Sequence, residues 1–208
     1  MKSAIELFAA LGEHLTHFGE DDATRGVILR ASTENPWFSP EEIRRAVDAL
    51  VREMLQRDRL RKWLSAYPTL PVAQPGEVLV IMAGNIPLVG FFDLLCVVAS
   101  GHRCRIKPSA KDRVLMEYVV WTLRELDPEV PIATGDGADQ AVDAVIATGS
   151  DNANRYFRAH YAGIPTLLRG HRQSVAVLSG RESEQELKGL ADDIWAYSGL
   201  GCRNVSLL

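Results

Sequence analysis

The residues with the greatest chemical potential stand near the C-terminal end of the sequence, in Tyr197-Ser198-Gly199-Leu200-Gly201-Cys202-Arg203-Asn204. Glycine has no Cβ, so Gly199 and Gly201 would let a reactant approach the Cys202 sulfur closely. The neighbouring Arg203 cation would favour the thiolate, the nucleophilic form of the group. The stretch therefore reads as a nucleophile in a permissive turn. It also reads as a structural cysteine, since free cysteines are commonly buried as small hydrophobes. On local sequence alone the structural reading takes precedence.

More polar clusters follow apolar runs. Val78-Leu79-Val80-Ile81-Met82 is continuous, as expected of a strand buried on both faces, and leads into Gly84-Asn85-Ile86-Pro87. Cys104-Arg105-Ile106-Lys107 predicts a second strand, stopped at Pro108 and followed by Ser109. Val130 to Ala133 predicts a third, and Val142 to Ala147 a fourth that ends in Thr148-Gly149-Ser150. Open α/β sheets bind ligands beyond the carboxyl ends of their strands. Position alone therefore makes Asn85, Lys107, Ser109, Gly149 and Ser150 site candidates. Each has a plainer reading: a turn residue for Asn85, a surface lysine for Lys107, an ordinary helix start at Gly149-Ser150. Exposed N–H groups at such a start also suit a phosphate. Gly135-Asp136-Gly137 lacks a third glycine in place and reads as a turn.

The elements that must hold these positions are legible from periodicity and caps. Ile5, Phe8, Leu11, Leu15 and Phe18 recur at helical spacing, with Gly19 as a stop, and a short helix is predicted from Ala23 to Ser32. Ser39-Pro40-Glu41-Glu42 predicts a helix start with a capping box, ahead of the stripe Ile43, Val47, Leu50 and Met54. The proline-rich stretch Tyr67 to Gly76 reads as a linker. Beyond it strands alternate with helices: one ending at Ser100-Gly101, one opened by Ser109 to Asp112 in capping-box spacing, and a polar one from Asp151 to Tyr161. Thr166-Leu167-Leu168 and Val175-Ala176-Val177-Leu178 predict two more strands, and Ser183 and Glu186 cap a last helix. This alternation predicts an α/β fold with a doubly wound, largely parallel sheet, preceded by a helical segment.

Composition narrows the function classes. With 208 residues, 47% hydrophobic and 24% charged, the chain has the make-up of an ordinary globular protein. A net charge of −4 gives no support to a nucleic-acid partner. Three widely spaced cysteines without a CxxC argue against a disulfide framework or a metal site and suit a reducing, cytoplasmic setting. The apolar segment from Val78 to Gly101 is broken by Gly84-Asn85, Pro87, Gly90 and Asp93, so no membrane span is expected.

Taken in order, these segments carry a family resemblance. Gly84-Asn85-Ile86-Pro87-Leu88-Val89-Gly90, Lys107-Pro108-Ser109, Ala147-Thr148-Gly149-Ser150 and Gly199-Leu200-Gly201-Cys202-Arg203-Asn204-Val205-Ser206 resemble the aldehyde dehydrogenase superfamily. Within it, the similarity points to the acyl-CoA reductases related to the fatty-acid reductase of bacterial bioluminescence; Asn35-Pro36-Trp37-Phe38 looks like the same family. The resemblance implies an aldehyde-dehydrogenase-like Rossmann-type sheet and reduction of a long-chain acyl-CoA or acyl-protein thioester to aldehyde. It implies Cys202 as the nucleophile, with Asn85 and the Cys202 N–H around the developing oxyanion. Lys107 and Ser109 would lie by the adenosine ribose, and Gly149 and Ser150 near the pyrophosphate.

Two departures bear on specificity. Hydrolytic aldehyde dehydrogenases carry Lys-Pro-x-Glu, where this chain has Lys107-Pro108-Ser109-Ala110. Without that carboxylate a 2′-phosphate is not repelled, and Arg105 or Lys111 could pair with it, so NADP(H) is the expected cofactor. Their water-activating glutamate has no counterpart in Leu167-Leu168-Arg169-Gly170-His171, in keeping with acyl transfer to and from a thiol. The expected organisation is a helical segment and linker over 1–75, an NADP(H)-binding domain over 76–198, and the start of a catalytic domain over 199–208. A strand beginning at Val205 is expected to lack partners, and a homo-oligomer is a possibility for a longer protein. An acylating aldehyde dehydrogenase running towards acyl-CoA, or a non-catalytic NADP(H)-binding module, stands as the alternative.

Overall fold

The computed structural model describes residues 2–135 and 141–208. Helices α1 (Ala4–Leu15), α2 (Asp22–Glu34), α3 (Pro40–Glu53) and α4 (Arg57–Ser65) come first. Strand β1 (Glu77–Ile81) is followed by α5 (Phe91–Ala99), β2 (Arg103–Lys107), a 3₁₀ turn over Ala110–Asp112, α6 (Arg113–Leu126) and β3 (Ile132–Thr134). Then come β4 (Ala144–Thr148), α7 (Asp151–His160), β5 (Thr166–Arg169), β6 (Ser174–Val175), α8 (Glu184–Trp195), a second 3₁₀ turn over Ala196–Gly199, and β7 (Val205–Leu207). Ser39 caps α3 by accepting from the Glu42 N–H at 3.1 Å, but the Glu42 side chain does not return the bond, so the predicted box is only half formed there. The full reciprocal box forms at α8 between Ser183 and Glu186.

β3-β2-β1-β4-β5 form one sheet with every neighbouring pair parallel. The chain winds outward from β1 to β3 and then crosses to the far side of β1, so the switch point lies between β1 and β4. Val78, Val80, Cys104 and Ile106 turn one face of the sheet towards α5 and α6. That core is continuous with the helical segment: Phe8 and Leu11 of α1 and Ile43 and Val47 of α3 belong to it, and Phe8 meets Phe91 edge-on at 6.1 Å. Leu79, Val145 and Ala147 face the other way, against Phe157 of α7.

Three expectations need correction. Asp112 does not complete a capping box with Ser109; its side chain is buried and accepts the Leu88 N–H at 2.8 Å. The strand predicted over 175–178 shrinks to Ser174–Val175, and Val177 is 90% exposed. An apolar run forms a strand only where a neighbour pairs with it and a layer covers it. Nor does Val205 lack a partner: β7 pairs in parallel with β6, in a sheet separate from the first. Asp136 and Gly137 of the predicted glycine turn lie outside the described residues. Among the described residues no helix is long and apolar enough to cross a membrane.

Because α1 and the sheet share one core, Phe8→Ala should destabilise the whole chain by about 3–5 kcal/mol in a single urea transition. An early, separate transition of the helical segment would show instead that it folds independently.

Candidate active site

The loop between β1 and α5 is shaped by two close approaches and one bend. A Cβ on Gly84 would lie 2.5 Å from Ser109 Oγ, so only glycine lets the loops after β1 and β2 meet. A Cβ on Gly90 would likewise lie 2.5 Å from Met82 Cγ. The residue that adopts the left-handed conformation is Leu88, at φ 57°. That geometry costs a branched L-residue roughly 1–2 kcal/mol. It persists because the Leu88 side chain is buried in the main core and its N–H is held by Asp112. Burial pushes the Asp112 carboxyl up to about 8, against a smaller opposing pull from the Leu88 N–H.

The same loop reaches the cysteine segment. Asn85 Nδ2 donates to the Leu200 carbonyl at 2.7 Å, joining positions 115 residues apart. Just before it, Tyr197 (φ 53°), Ser198 (φ 55°) and Gly199 (φ 71°) are consecutively left-handed, a strained reversal out of α8. The reversal is braced on both sides. Asn204 Nδ2 donates to the Asp193 and Ala196 carbonyls at 2.8 and 2.9 Å, and Arg45 of α3 lies 5.8 Å from the centre of the Tyr197 ring. Gly201 leaves room for Asn204 Oδ1 where a Cβ would collide. Cys202 emerges exposed from this turn. Cys104, by contrast, is buried in the sheet, and burial raises its thiol pKa far above the ordinary value. Burial also pushes Cys96 up, to about 11.

On the other side of β1 the register places Lys107 level with Ile81, and Ile81 level with Ala147. Alternation along a strand then puts Lys107 on the sheet face that α7 covers. Ser150 caps α7, its Oγ accepting from the Ala153 N–H at 3.3 Å, so other first-turn N–H groups remain directed outward. The acidic Asp151 lies against the following loop, where Oδ1 accepts from the His171 N–H at 3.4 Å. Ser109 caps its own turn by accepting from the Lys111 N–H. Arg105 is committed elsewhere, pairing with Glu77 at 2.7 Å with both side chains only 16% exposed. Lys111, beside Gly84, has no ion-pair partner among the described residues. The donor set thus suits an anionic nucleotide: a lysine on the sheet face, a capped helix start, and no carboxylate at Ala110.

Residues 18–206 match the acyl-CoA reductase (LuxC) family. The chain belongs to that family. Among curated relatives, the long-chain acyl-protein thioester reductase 2 of Photobacterium leiognathi is 24% identical over 173 residues, 74% of this chain and 36% of the relative. The corresponding reductase of Vibrio harveyi is 26% identical over 144 residues, 61% of this chain and 30% of its own length. The chain thus spans about a third of the length of these relatives. Among solved structures, a putative aldehyde dehydrogenase from Burkholderia cenocepacia superposes with a TM-score of 0.70 at 18% identity, over 99% of this chain and 48% of that one. An aldehyde dehydrogenase from Bacillus cereus, solved with NAD+, gives 0.67 at 17%, over 100% and 47%. The fold is that of the aldehyde dehydrogenases.

In this LuxC-family chain the candidates fall into two groups. Asn85 and Cys202 are joined through Leu200. Lys107 ends β2 and Ser109 follows it, whereas Gly149 and Ser150 follow β4, with β1 between the two strands. Sequence reasoning missed Asp112, whose spacing from Ser109 mimics a capping box. It also missed the Arg169–Asp93 ion pair (2.7 Å) between β5 and α5, because those partners are 76 residues apart.

The raised Asp112 pKa has a defined consequence for stability. The folded carboxyl keeps its proton over a range where the unfolded one, near 3.8, has lost it. The stabilising contribution is complete below that lower value and is lost as pH rises through about 8. Asp112→Asn should therefore gain stability relative to wild type between pH 5 and 8, by on the order of a few kcal/mol at the upper end. Parallel urea denaturation curves of the two proteins against pH check this; a constant difference would contradict it.

Proposed function

We propose that this chain provides the nucleotide-binding half and the nucleophile of an NADPH-dependent reductase that converts a long-chain acyl thioester, acyl-CoA or acyl-protein, to the aldehyde. The observation that carries the reading is the Asn85–Leu200 contact, which ties the turn with the exposed Cys202 to the loop that follows the central strand β1. In this reading residues 76–198 hold the nucleotide, 1–75 cover the sheet behind them, and 199–208 bring the nucleophile.

The Cys202 thiolate attacks the thioester carbonyl, the bond to the carrier sulfur breaks, and the acyl group passes to Cys202. The Asn85 amide exchanges its bond with Leu200 for the developing oxyanion, assisted by the Cys202 N–H. Lys107 and Ser109 would hold the adenosine ribose of a bound nucleotide, and the α7 start at Gly149 and Ser150 its pyrophosphate. Bound there, the cofactor would supply hydride chemistry that brings the acyl carbon to the aldehyde level. Breaking the remaining carbon–sulfur bond returns Cys202 as thiolate. Lys111, with no carboxylate at Ala110, favours a 2′-phosphate. A second reading, a nucleotide-binding module without turnover of its own, is favoured by one of the two Asn85 Nδ2 hydrogens being already given to the Leu200 carbonyl.

Incubation with a long-chain acyl-CoA should add one acyl mass to Cys202. Cys202→Ala should abolish the adduct, and Asn85→Ala should slow its formation by about 10²–10³. An adduct that persists in Cys202→Ala would remove the nucleophile assignment, and nucleotide binding without any adduct would leave the module reading. Fluorescence titration should show tighter binding of NADPH than NADH; equal affinities would refute the Ala110 argument.

A further inference from the structure

Asp112 is 2% exposed, yet no cation is paired with it among the described residues. Its Oδ2 accepts the Leu88 N–H, while Oδ1 is buried without a hydrogen-bond partner among the described residues. An unsatisfied buried polar atom works against folding, so packing alone does not account for an acid here. What the carboxyl does hold is specific. Leu88 sits left-handed midway along the loop from Gly84 to Gly90, and its carbonyl accepts the Phe91 N–H that opens α5. Three residues earlier in the same loop, Asn85 grips Leu200 beside the cysteine turn.

The turn that carries Asp112 is itself fixed from the helical segment. Asn35, buried at the end of α2, donates from Nδ2 to the Lys111 carbonyl at 3.2 Å. A continuous set of contacts thus runs from α2 through the 110–112 turn and Leu88 to Asn85 and the Cys202 loop. Rotating Leu88 out of its left-handed state would swing the preceding residues, because φ at Leu88 sets the direction in which the chain leaves it. Of these contacts, the Asp112 bond is the one made by a side chain to the bent residue itself.

We propose that Asp112 is a positioning residue for the site: by holding the Leu88 N–H it fixes the bend that presents the Asn85 amide to the cysteine loop. The inference rests on reading Asn85 and Cys202 as the site, but its readouts require no turnover. Failure of the acyl-transfer reading would leave them interpretable.

The experiment uses the 208-residue chain as wild type, Asp112→Ala, Asp112→Asn and Asn85→Ala. Iodoacetamide alkylation of Cys202 is followed by mass spectrometry, and the Leu88 amide and Asn85 side-chain amide by NMR. Cys104, buried in the sheet, reports any general opening. Asp112→Ala is expected to shift both amide signals and to change the Cys202 alkylation rate by about fivefold, as loss of one ordinary hydrogen bond implies. The change should go in the same direction as in Asn85→Ala, with Cys104 still protected. Asp112→Asn keeps an acceptor for Leu88 and should restore the wild-type rate and signals. The proposal falls if Asp112→Ala leaves the Asn85 amide and Cys202 unchanged, or if the asparagine variant behaves like the alanine one. It falls equally if Cys104 becomes reactive in either variant, since Asp112 would then be a folding residue alone.

Discussion

The left-handed bend at Leu88 is the constraint from which the rest of the site follows. It lets the chain leave β1, pass within contact of the β2 loop at Gly84, and still turn back into α5 in time for Phe91 to enter the core. A leucine adopts that conformation only when its surroundings over-determine it. Here the core fixes the side chain and Asp112 fixes the amide. Asn85 inherits its place from that arrangement, and through Leu200 so does the segment that carries Cys202.

The cysteine turn is the complementary case, strain held by local bracing. Tyr197 and Ser198 each carry roughly the 1–2 kcal/mol of a left-handed L-residue. The Asn204 amide, bonded to two carbonyls near the end of α8, offsets part of this. Tyr197, half-buried and facing Arg45, adds a contact to the helical segment. No residue of α8 is buried, so this region depends on those few contacts and on the short β6–β7 pairing rather than on a core. Position, exposure and strain coincide at Cys202, whereas Cys104 has burial alone.

The strand-end cluster of Lys107 and Ser150 is built differently, from regular elements with little strain. The parallel register alone places Lys107 on the face that α7 covers, and the Ser150 cap leaves the helix start open. Arg105 shows how the sheet edits a plausible site residue. On the same strand and face as Lys107, it pairs with Glu77 of the adjacent strand, and removing either partner would leave the other charge partly buried and uncompensated.

The sequence by itself determined the order of the main helices and of the sheet strands, though not the extent of β6 or the role of Asp112. Apolar runs, period-3.6 stripes and the Ser39, Ser150 and Ser183 caps are local signals, each written within a few residues, and they sufficed for a parallel doubly wound sheet with Asn85, Lys107 and Ser150 at its carboxyl end. They also singled out Cys202, once the other motifs were read beside it. Tertiary structure decided the partners. Asp112 finds Leu88 from 24 residues away, Arg105 finds Glu77 across a strand pair, Asn85 finds Leu200 across 115, and Val205 finds Ser174 rather than solvent. Such pairings follow from which elements the core brings together, and no window of sequence contains both members. The bend at Leu88 illustrates the point: the local rule assigns a left-handed residue to glycine, yet Gly84 and Gly90 are needed for close approach, and a buried acid elsewhere in the chain holds the leucine there instead.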